Sequence, residues 1–518
     1  IISQIFLYVI NNQMFITFSP SPMLRTRVVK TASGSSAVQV VYYRNRRRVI
    51  FKHIGSARNN QELESLILVA QDLIKNTSAD IPLFEDVKLD NLLYLDKCEF
   101  LGVYSTFLYD ALREVMTQIG LDKLKKQLLL DMVVIRIVEP ASKLRSIELL
   151  ESHFGIKHRR QSYYKSAPQW LKLKGKIEDN VVDFAMKHYA FNFDLLFYDV
   201  TTLYFETFTE DDLRKNGFSK DNKSQQPQIL VALLVTKEGF PIAYSIFPGN
   251  VFEGHTILPV VNGFIEKHAV KDFTVVADAA MISVSNMQEL LRNNISYIVG
   301  ARLGNLSGEQ IRQIDRSMTR EDGKTIRIKT DHGYLVCDYS TVRYRKDKHE
   351  MEKQIEKARS IIESPSKIKK TKFIKITSEK VVLNDALIEK SRKLLGIKGY
   401  YTNLEEKIAT NQSIIERYHE LYRIEQAFRI SKHDLQTRPI FHFKEDPINL
   451  HILICFMALV VSKHIELTTG DSIRKFLAEC KKITDARMLN KITSKEARIR
   501  TQYSDKTKEY IKSLNLSH

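Results

Sequence analysis

The sequence predicts an α/β protein: a mixed-sheet core interrupted by a β-rich insertion, preceded by a small β/α region and a helical region. Three observations predict it. From residue 192 onward, strand-length apolar runs alternate with amphipathic helical patterns. One run, "QILVALLVT" at 228–236, is apolar throughout, as expected of a strand buried on both faces. From about residue 99 to 187 the apolar spacing is helical instead.

In chain order, residues 25–95 are expected to hold a small twisted sheet and a helix. Val38, Val40 and Tyr42 alternate with other residues, "SGSS" and "RNRRR" suit turns, and a helical pattern covers about 60–75. "RNRRR" offers either phosphate contacts or a solvated hairpin turn. Residues 99–190 read as a helical region with a basic surface. "EPASKL" breaks it at Pro140, with Ser142 placed as an N-cap, and Trp170 reads as core. Either region is a candidate for binding DNA, and the sequence leaves open which one does.

The core occupies two parts, 191–303 and 405–465. "DLLFYDV" and "LYFET" are strand-like. "QILVALLVT" and "PIAYSIF" should pair as a hairpin across "KEGF". "HTILPVVNGFIEKH" suits a helix, "FTVVADAAM" a strand ending in a carboxylate, "SVSNMQELLRNN" a helix with a serine cap, and "SYIVGARL" a strand. This order is that of a ribonuclease H-like sheet. Residues 304–399 read as an inserted β-rich subdomain with one charged helix. "NQSIIERYHELYRIEQAFRISKHDL" then reads as one helix. "LHILICFMALVV" at 450–461 is too short for a membrane helix and carries His451, so it reads as a buried helix. Residues 466–518 are expected to form a charged helical tail.

The whole chain bounds its partners. It has 518 residues, is 43% hydrophobic and 27% charged, and carries a net charge of +18. This composition is that of a folded protein rather than a disordered one. The charge favours a polyanionic partner. The four cysteines, Cys98, Cys337, Cys455 and Cys480, have no metal-site or redox spacing and fit a reducing cytoplasm. The opening "IISQIFLYVINNQMFITF" lacks a basic flank and cleavage site, and reads as a frame extended upstream of a start at Met14 or Met23.

The chemistry rests on acids. Asp199 in "LLFYD" and Asp278 in "FTVVAD" each interrupt or end a buried strand. A carboxylate there points into a core, at a cost, or into a cleft. Two held close repel, and a divalent cation relieves that. With no Cys or His beside them, the oxygen donors favour Mg²⁺ or Mn²⁺ over zinc. In "RYHELYRIEQAFRISK", Tyr418, Leu421, Glu425 and Lys432 fall at successive offsets of three, four and seven, which share one face of a continuous helix. Arg429 lies one turn beyond Glu425, and Arg423 lies off that face. A lone Asp at a strand end is more often a turn cap, and a lone helix Glu more often solvated. The ordered set of three argues otherwise. Asp194, Glu206, Asp211 and Asp272 are weaker candidates, and His255 reads as a helix-start residue.

These residues resemble a known pattern. The chain resembles a DDE transposase of bacterial insertion sequences, in the IS-four-type branch that includes the IS sixteen-thirty-four elements. That branch carries Y-(2)-R-(3)-E-(6)-K around its last acid. Here the positions are Tyr418, Leu421 in place of Arg, Glu425 and Lys432. "YDVTTLYFE" and "VVADAAM" are similar to its two Asp regions, and "FRISKHDLQTRPIFH" to the stretch beyond its Glu. The resemblance spans about 192–464. It implies two Mg²⁺ (or Mn²⁺) ions held by Asp199, Asp278 and Glu425. It implies cleavage of double-stranded DNA at the element's terminal inverted repeats, joining of 3′-ends to target DNA, and a homodimer in the DNA complex. It also implies end contacts from Tyr418 and Lys432, with Arg429 or Arg423 standing in for the missing Arg. A ribonuclease H-like nuclease without strand transfer, or a non-catalytic DNA-binding relative, is the alternative.

Overall fold

In the computed structural model the described residues are 4–10, 13–19, 23–31, 34–44, 46–77, 98–217, 225–270, 273–281, 283–363, 372–376, 381–491 and 496–518. They form two compact units, one of Ile1–Val103 with Asp485–Arg500, the other of Tyr104–Thr484 with Thr501–His518.

The smaller unit opens with a hairpin, β1 (Gln4–Ile10) and β2 (Gln13–Ser19). An antiparallel meander follows: β3 (Arg25–Lys30), β4 (Ser36–Arg44) and β5 (Arg47–Ala57). Helix α1 (Asn60–Thr77) covers it, and Val38 and Val40 meet Ala70 and Leu73 in a shared core. The expected twisted sheet and helix are both present. The rest of the 25–95 region, from 78, lies outside the described residues. Strand β6 (Cys98–Tyr104) comes after it.

The larger unit begins with the expected helices: α2 (Thr106–Gln118), α3 (Gln127–Val138), α4 (Lys143–Phe154), α5 (Arg160–Leu171) and α6 (Lys174–His188). Ser142 caps α4, its Oγ accepting from Arg145 N at 3.3 Å. Trp170 is buried, as its reading required.

The sheet comes next, with strands β7 (Leu195–Tyr204), β8 (Gln228–Thr236) and β9 (Pro241–Pro248). Then come α7 (Ile257–His268), β10 (Thr274–Ala277), α8 (Val284–Arg292) and β11 (Ser296–Ala301). "DLLFYDV" and "LYFET" thus belong to one long strand rather than two, because Thr201 and Thr202 are β-branched and nothing between them forces a turn. The β8–β9 hairpin and the serine cap of α8 are as expected.

Residues 304–399 correct the sequence reading. They hold α9 (Gly308–Ser317), β12 (Thr325–Thr330), β13 (Gly333–Tyr339), α10 (Thr341–Glu363), β14 (Ile374–Ile376), β15 (Val381–Leu383), α11 (Asp385–Lys393) and the start of β16 (Ile397–Thr402). They are not a β-rich module standing apart. One eight-stranded sheet runs β12-β13-β16-β11-β10-β7-β8-β9, so β12 and β13 extend it. Strands β7, β10 and β11 are parallel to one another, and the other pairings are antiparallel.

The single helix expected after the insertion is broken. α12 (Asn411–His419) ends, α13 (Tyr422–Arg429) begins, and a π-helical turn (Ile430–Asp434) completes the segment. The break falls at Glu420 and Leu421, and Leu421 is buried in the main core. Helix α14 (Glu445–Thr469) is long and apolar enough to cross a membrane by length and composition, but 94% of its apolar window is buried inside the protein. It packs on α3, α5 and β9, the core helix its sequence suggested.

The tail is only partly helical. α15 (Ile473–Cys480) and α16 (Asp505–Ser513) flank a hairpin, β17 (Asp485–Asn490) and β18 (Glu496–Arg500), which joins β6 in the smaller unit. Charges of the expected helical tail pair across these strands instead, Arg500 with Asp485 at 2.7 Å and Arg487 with Glu496.

Candidate active site

Asp199 lies in the middle of β7, and Asp278 directly follows β10. The two strands run parallel with Tyr198 opposite Ala277, so the next step along each brings Asp199 beside Asp278. Parallel neighbours are about 4.8 Å apart. The strand's alternation sorts its side chains. Tyr198 is fully buried and its hydroxyl lies 2.6 Å from Thr256 Oγ1. Asp199, Thr201 and Leu203 therefore face the other way. There Thr201 and Leu203 line a small cavity with Phe428 of α13. Glu425 precedes Phe428 by three residues and shares its side of the helix. The carboxylate of Asp199 is half-buried, and its Oδ1 accepts from Val200 N at 2.8 Å.

The tightest grouping is around Asp278 and Glu425, both exposed. The Tyr418 hydroxyl donates to Asp278 Oδ1 at 3.1 Å. Burial raises the Tyr418 phenol well above its ordinary pKa, and the negative charges of Asp278 and then Glu425 push it the same way. Gly300 on β11 leaves room for this reach. A Cβ there would stand 2.5 Å from the Tyr418 oxygen.

Above the Tyr418 ring sits Lys398 of β16, its Nζ 4.5 Å from the ring centroid, where a cation is attracted to the π face. Burial and then Arg343 lower the Lys398 pKa, while Asp338, Asp278 and Glu425 oppose that. Behind it, the Tyr400 hydroxyl lies 3.2 Å from His419 Nε2. Burial, and then the Lys398 charge, keeps His419 below its usual pKa. Sequence reading missed Lys398 and Gly300. The only signal was a lysine and a glycine inside the strand-like "IKGYYT" and "SYIVGA".

The remaining sequence candidates divide. The helix break and the π turn mean that Lys432, half-buried in that turn, is not carried on the face of Glu425 by a continuous helix. Arg423 lies against Gly239 in the β8–β9 turn and pairs with Glu420 at 3.3 Å. Together with Arg429 it lowers the pKa of Lys463 of α14, after the larger effect of burial. Leu421 is core. Asp211 is a turn acid whose carboxylate accepts from Leu213 N, Arg214 N and Arg214 Nε. His255 lies in a short 3₁₀ turn before α7, and Asp272 lies outside the described residues.

Three carboxylates thus lie near one end of the parallel strands. All their donors are hard oxygens, a chemistry that suits Mg²⁺ or Mn²⁺. They do not close on one another: among the described residues, no group of three or more His, Cys, Asp or Glu side chains is drawn close enough to hold a metal.

Residues 192–461, more than half of the chain, match the family model described as "Transposase DDE domain". No curated protein matches the chain. Among solved structures, the chain is similar to one titled as the cryo-EM structure of a piggyBac transposase synaptic complex with hairpin DNA. The identity is 12% and the TM-score 0.36, over 73% of this chain and 70% of that one. The span of the family match, from before β7 to within α14, takes in every acid of the candidate site. The chain belongs to the DDE transposase family.

Proposed function

We propose that this protein binds the ends of an insertion sequence, cleaves the DNA there and joins the 3′-ends to target DNA by transesterification. The observation that carries the reading is the grouping of Asp278 and Glu425 about Tyr418, with Asp199 in register beside Asp278, inside the matched domain. The sheet supports it: an antiparallel β7–β8–β9 meander with β10 and β11 added parallel beside β7 is the order we read as ribonuclease H-like.

Asp199, Asp278 and Glu425 would hold the divalent ions, which DDE transposases generally use. Bound there, such ions supply Lewis-acid charge at the scissile phosphate and a more acidic nucleophile. The chain's own residues prepare that place. Tyr418 fixes the Asp278 carboxylate by its hydrogen bond. Lys398, held over the Tyr418 ring, puts a cation beside the carboxylates where a phosphate would arrive. The net charge of +18 suits a DNA partner. We place the protein in the IS-four-type branch, with Leu421 serving the core where that branch has Arg. It acts in the bacterial cytoplasm, as a homodimer that holds two ends.

The test is a set of purified variants, Asp199→Ala, Asp278→Ala and Glu425→Ala. Each is expected to bind a terminal-repeat duplex and to lose Mg²⁺-dependent cleavage. A variant that still cleaves removes its residue from the site. Pre-cleaved ends that the wild-type protein fails to join would reduce the activity to that of a nuclease.

A further inference from the structure

Residues 304–399 bring one more acid close to the site, and no step of the reading above uses it. Strands β13 and β16 pair antiparallel with Asp338 directly opposite Lys398. Opposite residues share a face of the sheet, with Cβ atoms about 5 Å apart. Tyr400, two residues along β16, shares that face and stands opposite Gly300 on β11, over which Tyr418 reaches Asp278. Helix α12 packs on these strands. Beneath it the Lys398 ammonium leans onto two rings, 4.5 Å from the Tyr418 centroid and 5.4 Å from that of Tyr400, and the rings lie 4.9 Å apart. Asp338 is half-buried, and its Oδ1 is buried with no hydrogen-bond partner among the described residues. A carboxylate oxygen held out of water without a partner is costly, and a nearby cation offsets that cost. The electrostatics agree with the placement. Burial, and then Arg343 at the start of α10, disfavour the charged form of Lys398. Of the three acids that favour it, Asp338 acts most strongly, ahead of Asp278 and Glu425.

We propose that Asp338 is a positioning residue for cleavage: from across the strand pair it supplies the counter-charge that keeps the Lys398 ammonium lodged against Tyr400 and Tyr418, beside the carboxylates. The inference rests on the cleavage reading above, in which Lys398 stands where a phosphate arrives. In this role Asp338 touches neither DNA nor metal and acts through Lys398. Without its charge, the repulsion from Arg343 acts on Lys398 with one acid fewer to offset it. The ammonium is then freer to swing away from the rings, on a long and flexible stem. Residues 304–399 thereby take part in the chemistry as well as in the sheet.

The experiment uses the full chain, a duplex of the element's own terminal repeat and Mg²⁺. It reads the cleavage rate of the preformed complex and the DNA concentration that half-saturates it. Asp338→Asn should slow cleavage roughly tenfold and leave half-saturation within about twofold of the wild type. Asp338→Glu, which keeps the charge, should recover most of the rate. Lys398→Met should slow cleavage at least as much as Asp338→Asn. Adding Asp338→Asn to Lys398→Met should slow it no further, because the acid acts through the lysine. Asp338→Asn at the full rate, or Asp338→Glu as slow as Asp338→Asn, overturns the inference. A loss that persists in the Lys398→Met background marks Asp338 as structural, and one confined to half-saturation marks it as a binding residue; either overturns it as well. In all of these outcomes the wild type still cleaves, and the cleavage reading stands. A wild-type protein that binds the duplex without cleaving it overturns that reading, and the inference falls with it.

Discussion

Asp131 and Asp199 occupy near-identical local sequences, "LLLD" in one and "LLFYD" in the other, and the fold treats them in opposite ways. Asp131 on α3 is fully enclosed. Its carboxylate accepts from Tyr109 at 2.7 Å and from Gln127 at 2.8 Å, and it pairs with His158 at 2.7 Å. It serves the helical region as a saturated polar knot. Asp199 is half-buried within β7, beside Asp278 just past β10, and Asp278 and Glu425 are exposed to solvent. A buried acid with every oxygen satisfied is costly to separate from its partners. An acid at an opening can meet a ligand that arrives from solvent. Burial and partners, not the neighbouring letters, divide structural acids from candidate functional ones.

The contrast can be broken in four places. Glu425→Gln should reduce metal-dependent cleavage by at least about a thousandfold, because several kcal/mol of charge stabilisation is removed. Its thermal midpoint should stay at that of the wild type, and a matching fall in both would put Glu425 in the class of Asp131. Asp131→Ala should do the reverse. It leaves His158 and Tyr109 without their partner and should cost about 3 kcal/mol or more in urea unfolding, with specific activity of the folded fraction intact.

Lys143 sharpens the same contrast for a cation. It is buried beside His451, 3.3 Å away, and Arg136. Burial, and then Arg136, lowers its pKa to about 7 from 10.5. Between those values the unfolded chain binds the extra proton, so stability rises with pH, and below about pH 7 the full cost is present. Lys143→Met should therefore stabilise the protein most near pH 6 to 7, with the gain fading toward about pH 10 in calorimetry. A gain that is flat with pH would mean that Lys143 is not buried as a charge. The smallest effect belongs to Tyr418→Phe. Loss of its hydrogen bond to Asp278 should slow cleavage roughly tenfold without weakening end binding. A variant that cleaves at the wild-type rate would reduce Tyr418 to packing.

Much of this was legible in the sequence. Buried strands announce themselves by apolar runs, so β7, β8, β10 and β11 were readable, and with them Asp199 within β7 and Asp278 just past β10. Glu425 was readable from its spacing to Tyr418. The rest depended on contacts between distant segments. Leu421 matches a helical period yet lies in the turn between α12 and α13, and no local pattern marks that turn. Lys398 and Gly300 act through Tyr418, which lies 20 and 118 residues further along the chain respectively, and no local pattern expresses that meeting. The charged tail read as helical, and its pairing as a hairpin with Arg500 on Asp485 depends on contacts that no local pattern expresses.

The extension of the sheet by β12 and β13 has a consequence for any attempt to trim the protein. Strand β16 is bonded on both flanks, to β11 and to β13. Residues 304–396 look removable by length alone. Excising them would leave β16, and Lys398 with it, as a bare margin of unpaired amides and carbonyls, the kind of surface on which chains adhere to one another. What the sequence presents as cargo between two halves of a domain is, in the folded molecule, the hem that keeps the sheet from fraying.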